Sequence, residues 1–421
     1  MKAKESYVGF PPLPDVDHIV DALIHDPADL RWRVVRDLFR IADPKDTQEL
    51  IARLQPHLYE TEDFRVKFRI TMALQALHHH LQTDGYTLVR GRGVMEESDR
   101  DNRSVEGRET QLVGHNFASV VDFHIHPKIP DLKFFADMHQ AGVTHAVILA
   151  TDTDPSDVDR PEIREQLRTA YSGCAQSHRV PFEKMLAQIR ASLYTPTHVT
   201  NQDVADWMED YPAILFGFGS VNLSKDKRYV EQKLEEISGL KLRGIKLLPY
   251  SQFFNPSENE NIGLLFDYCR QTGSIVLSHT GCAAGPFEIL ELSQNAHPGH
   301  WESVLKKYPD VPLVLAHCGS YSSHIPGLWL YESLQMGKKF KNVYADLAAV
   351  DWLLDREMVV NEIRKTIGFD RIVFGSDYPL PLTAGVNLAY LVSGLKANSL
   401  LTEREKRKVL GENAMQLLGI E

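Results

Sequence analysis

Beyond about residue 118 the chain alternates short apolar runs with longer amphipathic segments, and that alternation commits it to βα units on a parallel sheet. Eight runs read as strands: Val120–Ile125, His145–Ala150, Ile214–Phe218, Gly244–Leu248, Ile275–Ser278, Leu313–Ala316, Val343–Ala345 and Arg371–Gly375. The later ones recur roughly every 30 to 40 residues, enough for strand, crossover helix and return. No G-x-G-x-x-G follows any of them, so the reading is α/β, a closed (β/α)8 barrel of TIM type rather than an open dinucleotide-binding sheet. The gap between the second and third strands holds an extra helical segment, about 161–208, expected to form a lid or an interface. A helix Glu403–Leu418, N-capped by Thr402, is predicted to close the chain.

The barrel is expected over 118–421. Ahead of it, residues 1–90 read as a helical module: Arg31-Trp32-Arg33-Val34 with Leu38 and Ile41 matches Lys67-Phe68-Arg69-Ile70 with Leu74 and Leu77 at an offset of 36 residues (31 to 67), near the period of HEAT-like repeats. Two copies are too few to stand alone, so the module is expected to lean on the main domain. Between them, 91–117 is polar and reads as a linker. A formal charge of −11 leaves no basic stripe for phosphates, which argues against nucleic acid or an acidic membrane and for a small-molecule substrate. The start of the sequence shows no apolar leader and no stretch approaches a membrane span, so a cytoplasmic protein is expected, with a homo-oligomer left open. Cys174, Cys269, Cys282 and Cys318 show no CxxC spacing and read as isolated thiols.

In such barrels the chemistry gathers at the C-terminal ends of the strands. The first strand ends Asp122-Phe123-His124-Ile125-His126, and residues two apart on a strand share a face, so His124 and His126 can bind one cation together. The fifth ends Ser278-His279-Thr280-Gly281, the sixth Ala316-His317-Cys318-Gly319, the eighth Gly375-Ser376-Asp377-Tyr378. A buried carboxylate such as Asp377 needs a cation or donors. His124, His126, His279 and Asp377 together suit zinc or another divalent ion, and His317 is left as a general base or as a group orienting water, with Asp377 also able to move a proton. Lys246 on the fourth strand reads as a contact to a substrate carboxylate or to water, as a carbamate bridging two metals, or as half of a structural ion pair.

The strings D-F-H-I-H, G-I-K-L-L-P, S-H-T-G, L-A-H-C-G, G-S-D-Y-P and the closing G-E-N-A, in this order, resemble the amidohydrolase superfamily, in particular the group that includes aminocarboxymuconate-semialdehyde decarboxylase. The resemblance runs from about 118 to 420. It implies that His124, His126, His279 and Asp377 hold one divalent metal, usually zinc, and that His317 activates water or holds substrate. It also implies that Lys246 is not carboxylated. The first function expected is therefore hydrolysis of a C–N or C–O carbonyl bond of a small substrate, with or without a carboxylate, by metal-activated water, with non-oxidative decarboxylation of an unsaturated or aromatic acid as the alternative. An inert barrel serving as a scaffold is a third reading that the ligand set disfavours.

Other features are more ambiguous. Tyr250, with Phe253 and Phe254, reads as a substrate wall or as ordinary packing. His297 to Trp301 reads as pocket lining or structure, His78-His79-His80 as a solvated run, and Arg160 and Arg164 as anion contacts.

Overall fold

The computed structural model describes residues 16–25, 44–82, 119–126, 132–173, 181–193, 199–282, 293–322, 327–379 and 387–420. They fall into two compact units, one before and one after about residue 101.

In the first unit, helices Val16–His25, Pro44–Glu60 and Phe64–Gln82 follow the 3.6-residue spacing of their apolar positions. Ile19, Leu23, Leu50, Leu54, Ile70 and Leu77 close one core. Asp63 starts the third helix by accepting from the backbone of Arg65 (2.8 Å) and Val66 (3.3 Å). The copy of the repeat beginning at Arg31, the linker 91–117, Cys174 and the side chains of His78 to His80 lie outside the described residues.

The second unit is an eight-stranded parallel sheet in the order β1 to β8: Val121–Ile125, His145–Leu149, Leu215–Ser220, Gly244–Leu247, Ile275–Gly281, Leu313–Tyr321, Val343–Asp346 and Ile372–Val373. The chain after β8 meets β1 and closes the barrel: Phe123 N donates to Phe374 O (2.9 Å), Asp377 N to His124 O (2.9 Å) and His126 N to Tyr378 O (2.8 Å). Parallel strands buried on both faces need apolar residues throughout. Val121, Phe123, Val147, Phe218, Leu277 and Val314 supply that core, with the rings of Phe123 and Phe218 edge to face at 5.6 Å.

Several elements differ from the expectation in extent. β5 and β6 run past their histidines, joined at Gly281 and Tyr321 beyond a break in register. β8 is two residues long, because Phe374 N turns to Val409 O (2.9 Å) instead of continuing the ladder. Thr402 caps Glu403–Arg407 in a reciprocal box with Glu405, but a π turn, Lys408–Glu412, interrupts the helix before Asn413–Leu418. At Gly411 in that turn a Cβ would lie 2.2 Å from Ser119 O, so only glycine lets the two backbones meet.

The segment 161–208 contains three helices, Pro161–Gly173, Phe182–Leu193 and Asn201–Asp210. The first two bury Ile163, Leu167, Met185 and Leu186 with Phe253, so Phe253 belongs to this packing. The third packs on β3, where a barrel's crossover helix belongs.

Left-handed backbone collects at the mouth: φ is +59° at His317, +47° at Cys318, +70° at Gly319 and +61° at Asp377. At Gly319 a Cβ would also come within 2.3 Å of Ser333 Oγ and 2.5 Å of Trp329 O. Gly319→Ala combines left-handed strain with overpacking, and is expected to destabilise the fold by roughly 2–4 kcal/mol, read by denaturant unfolding.

Candidate metal centre

Closure of the barrel brings together residues some 250 positions apart in the chain. His124 Nε2 is 3.2 Å from His126 Nε2, and Asp377 Oδ1 lies 3.5 Å and 3.7 Å from those two nitrogens. Three atoms so spaced share a point about 2.0 Å from each, which is the length of a zinc bond to imidazole nitrogen or carboxylate oxygen, ~2.0–2.2 Å. β1 carries one extra residue between Asp122 and Ile125 relative to β2, and bulges of this kind re-aim side chains beside active sites.

The proton positions follow from what each ring faces. His317 Nδ1 is 2.8 Å from Ala348 O and His279 Nε2 is 3.0 Å from Cys282 O. A carbonyl only accepts, so both nitrogens carry hydrogen, and the inward His317 Nε2 and His279 Nδ1, 3.2 Å apart, are both bare. The carboxylate of Asp346 takes the hydrogen of His124 Nδ1 (2.8 Å), which leaves His124 Nε2 bare as well. Facing lone pairs repel unless a cation or donor lies between them, and this donor set fits a divalent metal. His279 stands with His317 rather than in the close triangle of His124, His126 and Asp377; among the described residues, two sets of three possible ligand atoms lie within 4.8 Å of one another, that triangle and His124, His317 and Asp346.

Burial keeps all four imidazoles neutral. It pushes His279 down to about 3 and His124, His126 and His317 well below the ordinary histidine range, with Lys246 adding to the effect at His124 and His126. Burial also holds the Asp377 carboxyl well above the usual carboxylate range, and raises Asp122 to about 7. Asp122 Oδ1 accepts from Ser376 N (2.9 Å), a further tie across the seam between β8 and β1.

Lys246 is fully buried, with its Nζ 2.8 Å from His124 Nε2, and burial lowers it to about 8. Among the described residues it pairs with no carboxylate within 4.0 Å. Tyr250 stacks edge-on against His279 at 4.6 Å, and Tyr321 lies 4.5 Å from His317 and 5.5 Å from His279. Burial pushes the Tyr250 hydroxyl up to about 12.

Two of these residues escaped the sequence. Asp346 ends β7 as Asp377 follows β8, an acid after an apolar strand, and the same rule would have found it. Tyr321 carried no signal, because the extension of β6 beyond Ala316 was not legible. Arg160 is engaged by Asp157, Glu162 and Ser224, and Arg164 by Glu183, so neither is a spare cation at the mouth. His297 accepts from Gly299 N (3.0 Å) and packs on Trp329, a structural role. Phe254 is buried, and no described helix is long and apolar enough to cross a membrane.

Comparison with solved structures bears on the fold. A TIM-barrel protein from Bordetella bronchiseptica is 18% identical with a TM-score of 0.51, covering 72% of this chain and 98% of its own. 5-Carboxyvanillate decarboxylase from Sphingomonas paucimobilis is 15% identical, TM-score 0.47, covering 70% of this chain and 85% of its own. 2,6-Dihydroxybenzoate decarboxylase from Rhizobium is 12% identical, TM-score 0.47, covering 72% and 98%. No curated protein matches the chain. The family model described as amidohydrolase matches residues 121–420, most of the chain and the whole of the barrel, and the protein therefore belongs to the amidohydrolase superfamily of metal-dependent enzymes.

Proposed function

We propose that this protein uses one divalent cation, zinc in the first instance, to decarboxylate a small unsaturated or aromatic acid without oxidation. His124, His126 and Asp377 would hold the cation, with His279 turned toward the same space. When bound, the cation supplies a Lewis acid that polarises the substrate or lowers the pKa of a water.

The observation that carries the reading is Lys246. Its ammonium is fully buried and meets a neutral imidazole, His124 Nε2 (2.8 Å), with the Asp346 and Asp377 carboxyls near but beyond ion-pair distance, so the charge still needs an anion in direct contact. A substrate carboxylate or the enolate-like anion left as carbon dioxide departs meets that need. With a pKa of about 8, Lys246 carries a proton at neutral pH and can return it to the substrate carbon, taking another from water afterwards. The rings of Tyr250 and Tyr321 provide flat walls for a planar acid.

Hydrolysis of a C–N or C–O carbonyl bond is the second reading, favoured by the bare Nε2 of His317, an inward lone pair that can accept a hydrogen bond from water and orient it. Metal-loaded protein offered panels of aromatic acids, amides and lactones distinguishes them. Carbon dioxide without hydrolysis products supports decarboxylation, and the reverse overturns it.

Lys246→Met is expected to raise KM for carboxylated substrates ~10–100-fold, the value of a hydrogen bond to a charged group. The pH dependence has a definite sign. Lys246 is cationic below its pKa and neutral above it, so wild-type activity should fall as pH rises through about 8, and a nearby cation can only move that limb lower. Steady-state rates from pH 6 to 10 should show the limb in wild type and its absence in the variant.

A further inference from the structure

We propose that Asp346 is a positioning residue that fixes the tautomers of His124 and His317 together, so that both present bare nitrogen to the cation site; the inference rests on the metal-dependent reading above. The carboxylate is fully buried at the end of β7. Its Oδ2 meets His124 Nδ1 at 2.8 Å. Its Oδ1 accepts from His317 N (2.7 Å) and Ala348 N (3.0 Å), and Ala348 O in turn accepts from His317 Nδ1 (2.8 Å). One acid and the turn behind it therefore hold β1, β6 and β7 in a single arrangement. The two imidazoles, tilted with ring centres 4.9 Å apart, both turn Nε2 inward.

This geometry makes an unusual prediction for the isosteric variant Asp346→Asn. An amide could ordinarily flip to suit its neighbours. Here it cannot, because the two backbone N–H groups of His317 and Ala348 demand the oxygen at the Oδ1 position. The NH2 group must then face His124 Nδ1 and donate to it. That moves the hydrogen of His124 to Nε2, the atom 2.8 Å from Lys246 Nζ and 3.2 Å from His126 Nε2, so Lys246 must turn its own donor away, and a protonated Nε2 cannot ligate a cation. Asp346→Ala, by contrast, merely releases His124 to choose its tautomer. Losing an outer partner of a ligand histidine typically weakens metal binding ~10–100-fold.

The test is zinc affinity of the full chain, by competition with a chromophoric chelator, together with the 15N shifts of histidine side chains in metal-free protein. Asp346→Ala is expected to bind zinc ~10–100-fold more weakly than wild type. Asp346→Asn is expected to bind more weakly still, although it conserves shape and keeps both backbone donors satisfied. In the metal-free state His124 should be protonated at Nδ1 in wild type and at Nε2 in Asp346→Asn. Zinc affinity of Asp346→Asn equal to wild type, or His124 protonated at Nδ1 in that variant, overturns the proposal. If Asp346→Ala fails to fold, the tautomer exchange in Asp346→Asn decides alone. If wild type binds neither zinc nor manganese, the metal-dependent reading fails, while the tautomer measurement still tests the role of Asp346.

Discussion

Asp377→Asn is expected to lower affinity for a divalent cation by about 100-fold or more, and to take activity down with it. The estimate is a floor, since loss of a mere outer partner costs ~10–100-fold and Asp377 offers the only anionic atom in the close triangle. The substitution conserves shape, and asparagine accepts the left-handed φ of +61° as readily as aspartate. Its effect on the metal-free fold should have the opposite sign. Burial raises the Asp377 pKa, so the folded state binds a proton that the unfolded state releases above about pH 4. That contribution is full below the unfolded pKa and is lost as pH rises, leaving the wild-type apoprotein with a cost at neutral pH that an amide does not carry. Isothermal titration with zinc and denaturant unfolding of the two apoproteins check both halves. Retained affinity would remove Asp377 from the proposed ligand set.

Removing the metal is expected to abolish turnover and to lower the stability of the barrel by ~3–4 kcal/mol relative to protein held at a free concentration of 100 to 1,000 times Kd. The physical source is the set of bare nitrogens. His279 Nδ1 and His317 Nε2 face each other 3.2 Å apart with their hydrogens committed to carbonyls, so the folded apoprotein holds repulsive lone pairs that a cation relieves. Unfolding titrations with and without chelator, over a series of zinc and manganese concentrations, give the dependence directly. Stability that does not respond to either ion would contradict a site organised for a metal.

Much of this was legible along the chain because barrel strands write themselves locally. Each strand buried on both faces must be apolar, and each catalytic end must break that run, so His124, His279, His317 and Asp377 stand out beside glycine and small residues. The third helix of the 161–208 segment was less legible: as sequence it continues the insertion, and only its packing on β3 marks it as part of the barrel. The break in the C-terminal helix was hidden for a similar reason. Residues 403–418 have helical spacing throughout, and the π turn arises where Gly411 meets the backbone of Ser119.

By itself, then, the sequence determined the alternation of strand and helix and the residue types at each strand end, since periodicity is a property of neighbours in the chain. Tertiary structure decided which strand ends meet. Closure between β8 and β1 sets Asp377 against His124 and His126, and the extension of β5 and β6 turns His279 toward His317. Burial leaves Lys246 without a carboxylate, and Asp346, one residue beyond a strand read too short, reaches two histidines at once. Tautomer, desolvation and ligand spacing depend on contacts among residues distant in sequence, and those exist only after the barrel has closed.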